Sequence, residues 1–134
     1  MRKKICLVVA NFYPSISHNL ISGASKIIKN NGHKINKIFK VPGVLEIPYV
    51  ISKNINKYDG FIALGCVIKG ETPHFEFISK STIDAIIRLS IIYKKPIGNG
   101  IITCLNKKQA TQRSSIKRNK GKESAKAMLS LFKI

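Results

Sequence analysis

Two periods of hydrophobicity alternate along this chain. Residues 5–10 and 61–67 are apolar runs of strand length and read as buried strands. Residues 15–30 instead carry Ile16, Leu20, Ile21, Ala24, Ile27 and Ile28, a stripe at helical spacing that Asn31-Gly32 closes. Ile35, Ile38 and residues 39–41 give a mixed, mostly extended signal. Pro42-Gly43 then turns the chain into residues 44–55, predicted helical with Pro48 in or near the first turn. A long helix over 73–93, a strand over 97–103 and a helical region from 107 to the end complete the pattern.

Strands that alternate with helices predict an α/β domain spanning residues 1–134, with a parallel sheet, helices on both faces and right-handed crossovers. Ligands of such sheets bind beyond the carboxyl ends of the strands. The polar and Gly-containing segments fall at those ends: Asn11-Phe12-Tyr13-Pro14, Val41-Pro42-Gly43-Val44-Leu45-Glu46, residues 66–74 and the turn after Thr103. A composite pocket to which all four strand ends contribute is expected.

Among these segments, Gly65-Cys66-Val67-Ile68-Lys69-Gly70-Glu71-Thr72-Pro73-His74-Phe75 carries the most chemistry, an apolar strand running into a polar turn that ends on a histidine. Thr72 is the predicted N-cap, and Pro73 the first helical residue, where a missing N–H costs nothing. The free N–H groups of such a helix start suit an anionic group such as phosphate. His74 would stand one turn away, able to exchange protons near neutral pH.

Composition narrows the function classes. At 134 residues, 44% of them hydrophobic and with no linker, repeat or low-complexity tract, the chain is long enough for one buried core. A net charge of +18, from 24 basic and 6 acidic residues, invites a nucleic-acid reading. The lysines, however, are spread along the whole length in the company of Ile and Asn, as a solvated basic surface would be, and no nucleic-acid partner is expected. The densest cluster, Lys117-Arg118-Asn119-Lys120-Gly121-Lys122, contains no aromatic residue for stacking on bases. Cys6, Cys66 and Cys104 are odd in number and form no C-x-x-C pair, so neither a disulfide framework nor a zinc site is expected. The basic start and the apolar run after it mimic a signal peptide, but Asn11 ends the run too soon, and no stretch approaches the ~18 apolar residues of a membrane span. A cytoplasmic protein without a membrane partner is expected.

Each candidate residue has two readings. Phe12, between a strand and a proline, is either an exposed stacking platform or a core residue at a turn. Glu46 either sits favourably at a helix start or accepts hydrogen bonds from substrate hydroxyls. His74 is either a capping-turn residue or an acid/base. Arg113 and Lys120 are either solvated charge or anion ligands. The glycines match neither G-x-G-x-x-G nor a Walker pattern, so no nucleotide cofactor is implied.

Four segments together resemble one family, the lumazine synthases of riboflavin biosynthesis. They are Val41-Pro42-Gly43-Val44-Leu45-Glu46-Ile47-Pro48, then Leu64-Gly65-Cys66-Val67-Ile68-Lys69-Gly70-Glu71-Thr72-Pro73-His74-Phe75, then Gly100-Ile101-Ile102-Thr103 with Gln109-Ala110, and Asn119-Lys120-Gly121. The resemblance implies a flavodoxin-like three-layer sandwich with a four-stranded parallel sheet. It implies a transferase without metal or cofactor that condenses 5-amino-6-(D-ribitylamino)uracil with 3,4-dihydroxy-2-butanone 4-phosphate to 6,7-dimethyl-8-ribityllumazine.

Carried over by that resemblance, Phe12 stacks on the pyrimidine, Val44, Leu45 and Glu46 hold the ribityl chain and ring edge, and Cys66, Val67 and Ile68 line the ring's other side. Glu71, Thr72 and Arg113 receive the phosphate, Lys120 lies near the substrate, and His74 moves protons. Asn99 matches a pocket position supplied by a neighbouring subunit. Cys66 stands where Thr is common in the family, Lys69 where Arg is frequent and Asn99 where an aromatic is frequent, which implies a more polar pocket; the segment after Arg113 is shorter than usual. A homopentamer is expected over an icosahedral 60-mer, because the chain begins almost at its first strand, and riboflavin synthase is a further candidate partner. The competing readings are a basic RNA-binding domain and a flavin-binding module of flavodoxin type.

Overall fold

The computed structural model describes residues 2–134. Four strands, β1 (Lys4–Ala10), β2 (Lys34–Val41), β3 (Gly60–Ile68) and β4 (Ile97–Cys104), pair in parallel in the order β2-β1-β3-β4. Helix α1 (Pro14–Asn30) follows β1. A single 3-10 turn (Val44–Glu46) and α2 (Ile47–Lys53) follow β2, α3 (His74–Tyr93) follows β3, and α4 (Lys107–Arg113) and α5 (Lys120–Leu131) follow β4. The arrangement is the flavodoxin-like three-layer fold, with its topological switch point between β1 and β3, where the chain's progress across the parallel sheet reverses.

The inner strands β1 and β3 are buried along most of their length, which is why they read as unbroken apolar runs rather than alternating ones. Ile5, Leu7 and Val9 pack against Leu20, Ala24 and Ile28 of α1 and against Ala125 and Met128 of α5. Cys6, Val8 and Ala10 face the other way, onto Ile47 and Ile51 of α2 and Ile86 of α3. Each fully buried Ile, Leu or Val contributes ~1.5–3 kcal/mol to holding the layers together.

The weaker sequence signals have local causes. β2 is an edge strand with one side open to solvent, so Lys34, Lys37 and Lys40 interrupt its apolar positions. Its pairing with β1 skips Asn36, whose side-chain oxygen accepts the Ile5 N–H at 3.2 Å. The expected helix over 44–55 divides at Pro48, because proline has no N–H to offer the Val44 carbonyl. The preceding turn therefore closes with shorter bonds, Glu46 N–H to the Gly43 carbonyl at 3.3 Å and Ile47 N–H to that of Val44. The expected helical region from 107 onward is broken in the same way at residues 114–119, where the Ser114 and Ser115 hydroxyls donate to the Ala110 and Gln112 carbonyls and end α4.

Helix α5 lies almost directly on β4. A methyl group added at Gly98 would overlap the Ser124 carbonyl oxygen, and one added at Gly100 would strike Leu64 and the Ser124 hydroxyl. Neither neighbour is free to retreat, since Ser124 is buried and its hydroxyl donates to the Gly121 carbonyl at 2.9 Å. Gly98→Ala is therefore expected to cost ~1–3 kcal/mol, as overpacking of a filled interior does. Urea unfolding of the two proteins measures it, and an unchanged midpoint would mean that α5 is not seated on the strand.

Candidate active site

The ends of β1, β2 and β3 enclose a cavity of about 320 Å³ at the switch point of the sheet. Phe12 and Tyr13 form one wall, the 3-10 turn with Gly43 a second, and Cys66, Val67 and Ile68 the floor, with Ile78 of α3 closing the side. The walls are held from below. Asn11 N–H donates to the Val41 carbonyl at 2.9 Å, and the buried Ser17 hydroxyl donates to the Ala10 carbonyl at 2.7 Å, which fixes the turn that carries Phe12. Phe12 meets Tyr13 edge to face at 5.0 Å and is 70% exposed, so it is not a core residue and one face of its ring is open at the cavity wall. Val44 rests against Gly65, where any side chain would collide with it, so the 3-10 turn sits directly on the sheet.

Glu46 takes the first of its readings, a carboxylate at the start of a helical turn. Its Oε1 accepts the Gly43 N–H at 2.8 Å, tying the carboxylate to the start of the turn. That bond orients the group and leaves Oε2 without a protein partner at the edge of the cavity.

His74 is the first residue of α3 and exposed, with neither ring nitrogen bonded within the described residues. It does not line the cavity itself. Ile78 does, and positions four apart share one helix face, so His74 stands one turn above the cavity's side wall. The helix begins one residue later than its sequence suggests. Pro73 is the capping residue, its carbonyl accepting the first helical bonds, and the Thr72 hydroxyl takes the His74 N–H at a long 3.4 Å. Proline's missing N–H is harmless at either place, so the sequence does not distinguish them. Glu71 and Thr72 are exposed on the loop before the helix and line no cavity.

Only three of the four strand ends meet in this cavity, which corrects the expectation of one composite pocket. Asn99, Arg113 and Lys120 belong to a different concavity of about 510 Å³ along the free edge of β4, with Ile83 of α3 and Glu123 of α5 on its sides. The two share no residue, because β4 is the edge strand beyond β3 and α4 and α5 fold around its outer side. Arg113 Nη1 donates to the Thr103 carbonyl at 2.9 Å, and the guanidinium also lies against the Cys104 thiol, which together align it along the strand. Asn99 accepts the N–H of Ile101 at 3.1 Å through Oδ1. That N–H belongs to the open edge of the sheet, so the Asn99 side chain covers part of it and turns its NH₂ donors toward the cleft.

Asn119 and Gly121, quoted above only as part of a motif, set the position of Lys120. Asn119 is buried. Its NH₂ donates to the Asn19 and Ser114 carbonyls at 2.9 and 3.1 Å, and its Oδ1 caps α5 by accepting the Lys122 N–H at 3.1 Å. A side chain at Gly121 would overlap the Leu20 carbonyl. Lys120 is thus the first residue of a helix pinned on both sides. Tyr13, Ile78 and Arg118 also line these cavities; only tertiary packing brings them there.

The cavity floor is a protonated thiol. Burial, reinforced by the neighbouring Cys104, pushes the Cys66 pKa from 9.0 to about 12. Burial likewise pushes Cys6 to about 12 against a smaller opposing pull from Lys37, and raises Cys104 against Arg113. Cys66 therefore meets a ligand as a small, weakly polar wall and not as a nucleophile. Among the described residues no group of three or more His, Cys, Asp or Glu is placed to hold a metal, and no helix is long and apolar enough to cross a membrane.

An aromatic-faced cavity at the switch point of a flavodoxin-like sheet, beside a cleft rich in cations, defines an α/β protein that acts on small molecules. The model of the 6,7-dimethyl-8-ribityllumazine synthase family matches residues 2–134. The chain is 41% identical to the 6,7-dimethyl-8-ribityllumazine synthase of Blochmanniella pennsylvanica over 140 aligned positions, covering 99% of this chain and 88% of that protein. It is 40% identical to the enzyme of Bartonella bacilliformis, with coverages of 96% and 87%, and 39% identical to that of Zymomonas mobilis, with coverages of 98% and 95%. The chain belongs to the 6,7-dimethyl-8-ribityllumazine synthase family.

The raised thiols predict an alkaline weakness. Thiolates form above pH 9 in the unfolded chain but only near 12 at Cys6 and Cys66 in the folded one, so the unfolded state holds fewer protons across that window. Stability is full below pH 9 and declines as pH rises toward about 12. Cys66→Thr is expected to flatten part of that decline, read from melting temperatures across the window; identical slopes for variant and parent would contradict the assignment.

Proposed function

We propose that this chain condenses 5-amino-6-(D-ribitylamino)uracil with 3,4-dihydroxy-2-butanone 4-phosphate to 6,7-dimethyl-8-ribityllumazine, two waters and inorganic phosphate. The observation that carries the reading is the cavity at the switch point, with an exposed ring on one side, a carboxylate with a free oxygen at its edge and an unbonded imidazole one helical turn away. The pyrimidine stacks on Phe12 against Val67 and Ile68, and Oε2 of Glu46 accepts from the ribityl hydroxyls with Val44 and Leu45 beside it. Glu71 and Thr72 offer loop N–H groups to the phosphate. His74 protonates the leaving oxygen as the amine and ketone form an imine with loss of the first water. It then takes a proton as phosphate is eliminated, and ring closure on the new carbonyl releases the second water.

Asn99, Arg113 and Lys120 cannot reach this cavity from their own cleft without a second subunit, so a neighbour's cleft completes each site. A pentamer is the assembly we favour. Helix α3 supports association with further subunits, since Phe77, Ile91 and Ile92 are 67%, 69% and 61% exposed on it. Arg113 then meets the phosphate as a charge-assisted fork.

Formation of the lumazine, followed by absorbance against a blank without enzyme, tests the reaction. His74→Ala is expected to lower turnover by ~10²–10⁴ without abolishing it, because holding two mutually reactive molecules together supplies the rest of the acceleration. Unchanged single-turnover chemistry in that variant would remove His74 from proton transfer. Sedimentation is expected to show a particle of five chains, and a particle of megadalton size would replace the pentamer with a shell.

A further inference from the structure

We propose that Arg118 is a third phosphate-binding cation of the cleft, beside Arg113 and Lys120, and that it sets the affinity for the phosphorylated four-carbon substrate. The inference rests on the reaction proposed above and deepens it. Arg118 lines the same concavity as the other two cations, whereas its neighbours in the basic run, Lys117 and Lys122, do not. Glu123 is the one carboxylate in that lining, and no cation lies within ion-pair distance of it, the only ion pair among the described residues being Lys80 with Asp84. Three positive charges and one carboxylate without an ion-pair partner therefore share one concave surface, which keeps a net positive charge that a bound dianion offsets.

The count of donors points the same way. A phosphate monoester carries about −1.5 to −2 charge and three strong acceptor oxygens near neutral pH. Arg113 has committed one N–H to the Thr103 carbonyl, and Lys120 is a single point charge. A second guanidinium supplies both the missing charge and a second planar fork. The short loop that carries Arg118 also holds its backbone still. The Arg118 N–H meets the Ser115 hydroxyl at 3.4 Å, and the next residue is the buried Asn119, bonded to two carbonyls. The side chain thus leaves a fixed point at the rim, which limits the ordering entropy that binding demands.

Arg118→Gln, Arg118→Lys and Lys117→Gln separate this contact from the general field of a basic surface. Calorimetric titration with inorganic phosphate and steady-state kinetics with each substrate varied in turn provide the readouts, and melting temperature verifies that each variant is folded. In Arg118→Gln the phosphate dissociation constant and the KM for the butanone phosphate are expected to rise together by roughly 10-fold, with the KM for the pyrimidine unmoved. Arg118→Lys, which restores the charge without the fork, is expected to recover only part of the loss, and Lys117→Gln to show none. Phosphate affinity of Arg118→Gln within about twofold of the parent would overturn the proposal. So would an equal loss in Lys117→Gln, which would assign the effect to surface charge. Should the parent fail to condense the two substrates, the reaction fails on its own, and the phosphate titration still decides the role of Arg118.

Discussion

Parallel pairing of β1 with β3 is the constraint from which the functional rim follows. A parallel pair cannot be joined by a tight turn, so each strand is followed by a helix that returns the chain to the same end of the sheet. Every segment leaving a strand is thereby delivered to one rim, and because the connections after β1 and β3 leave the sheet in opposite lateral directions, a crevice opens there between them. Phe12, Glu46 and Val67 are remote in sequence, and they share a cavity because they lie at or just past the carboxyl ends of three neighbouring strands.

The second cavity depends on a different device, the close seating of α5 on β4 and α1. Gly98, Gly100 and Gly121 remove side chains where backbone meets backbone, and Asn119 joins the carbonyls of Asn19 and Ser114 to the first turn of α5. Shape and hydrogen bonding act together here, since the buried amide of Asn119 is affordable only with its donors and acceptor matched. The outcome is a cationic cleft in which Arg113 and Lys120 are placed by helices packed on the sheet and Arg118 by the short loop between them.

The two cavities also differ in chemistry in a way that suits two substrates. The first is mostly apolar, with a neutral thiol in its floor and one oriented carboxylate at its edge, a surface that matches a flat heterocycle bearing hydroxyls. The second carries three cations and one carboxylate, a charge balance that matches a phosphate. The +18 charge of the chain is therefore not wholly a diffuse surface property, because part of it is gathered where an anion is needed.

The inner strands, α1 and α3 were legible from the sequence because burial on two faces, or on one helical stripe, leaves its period in the residues themselves. Motif and spacing likewise singled out Glu46, His74, Arg113 and Lys120 as chemistry-bearing positions. The break at Pro48, the one-residue shift of the α3 start and the interruption at residues 114–119 were less legible, since each turns on which carbonyl finds an N–H partner. Sequence by itself determined the layers, the strand ends and the kinds of side chain at them. Only the tertiary structure decided that those side chains divide between two cavities, that Phe12 is open to solvent and that Arg118 joins Arg113 and Lys120. Such facts depend on the lateral order of strands and on close contacts between segments far apart in the chain, and neither leaves a local period to read.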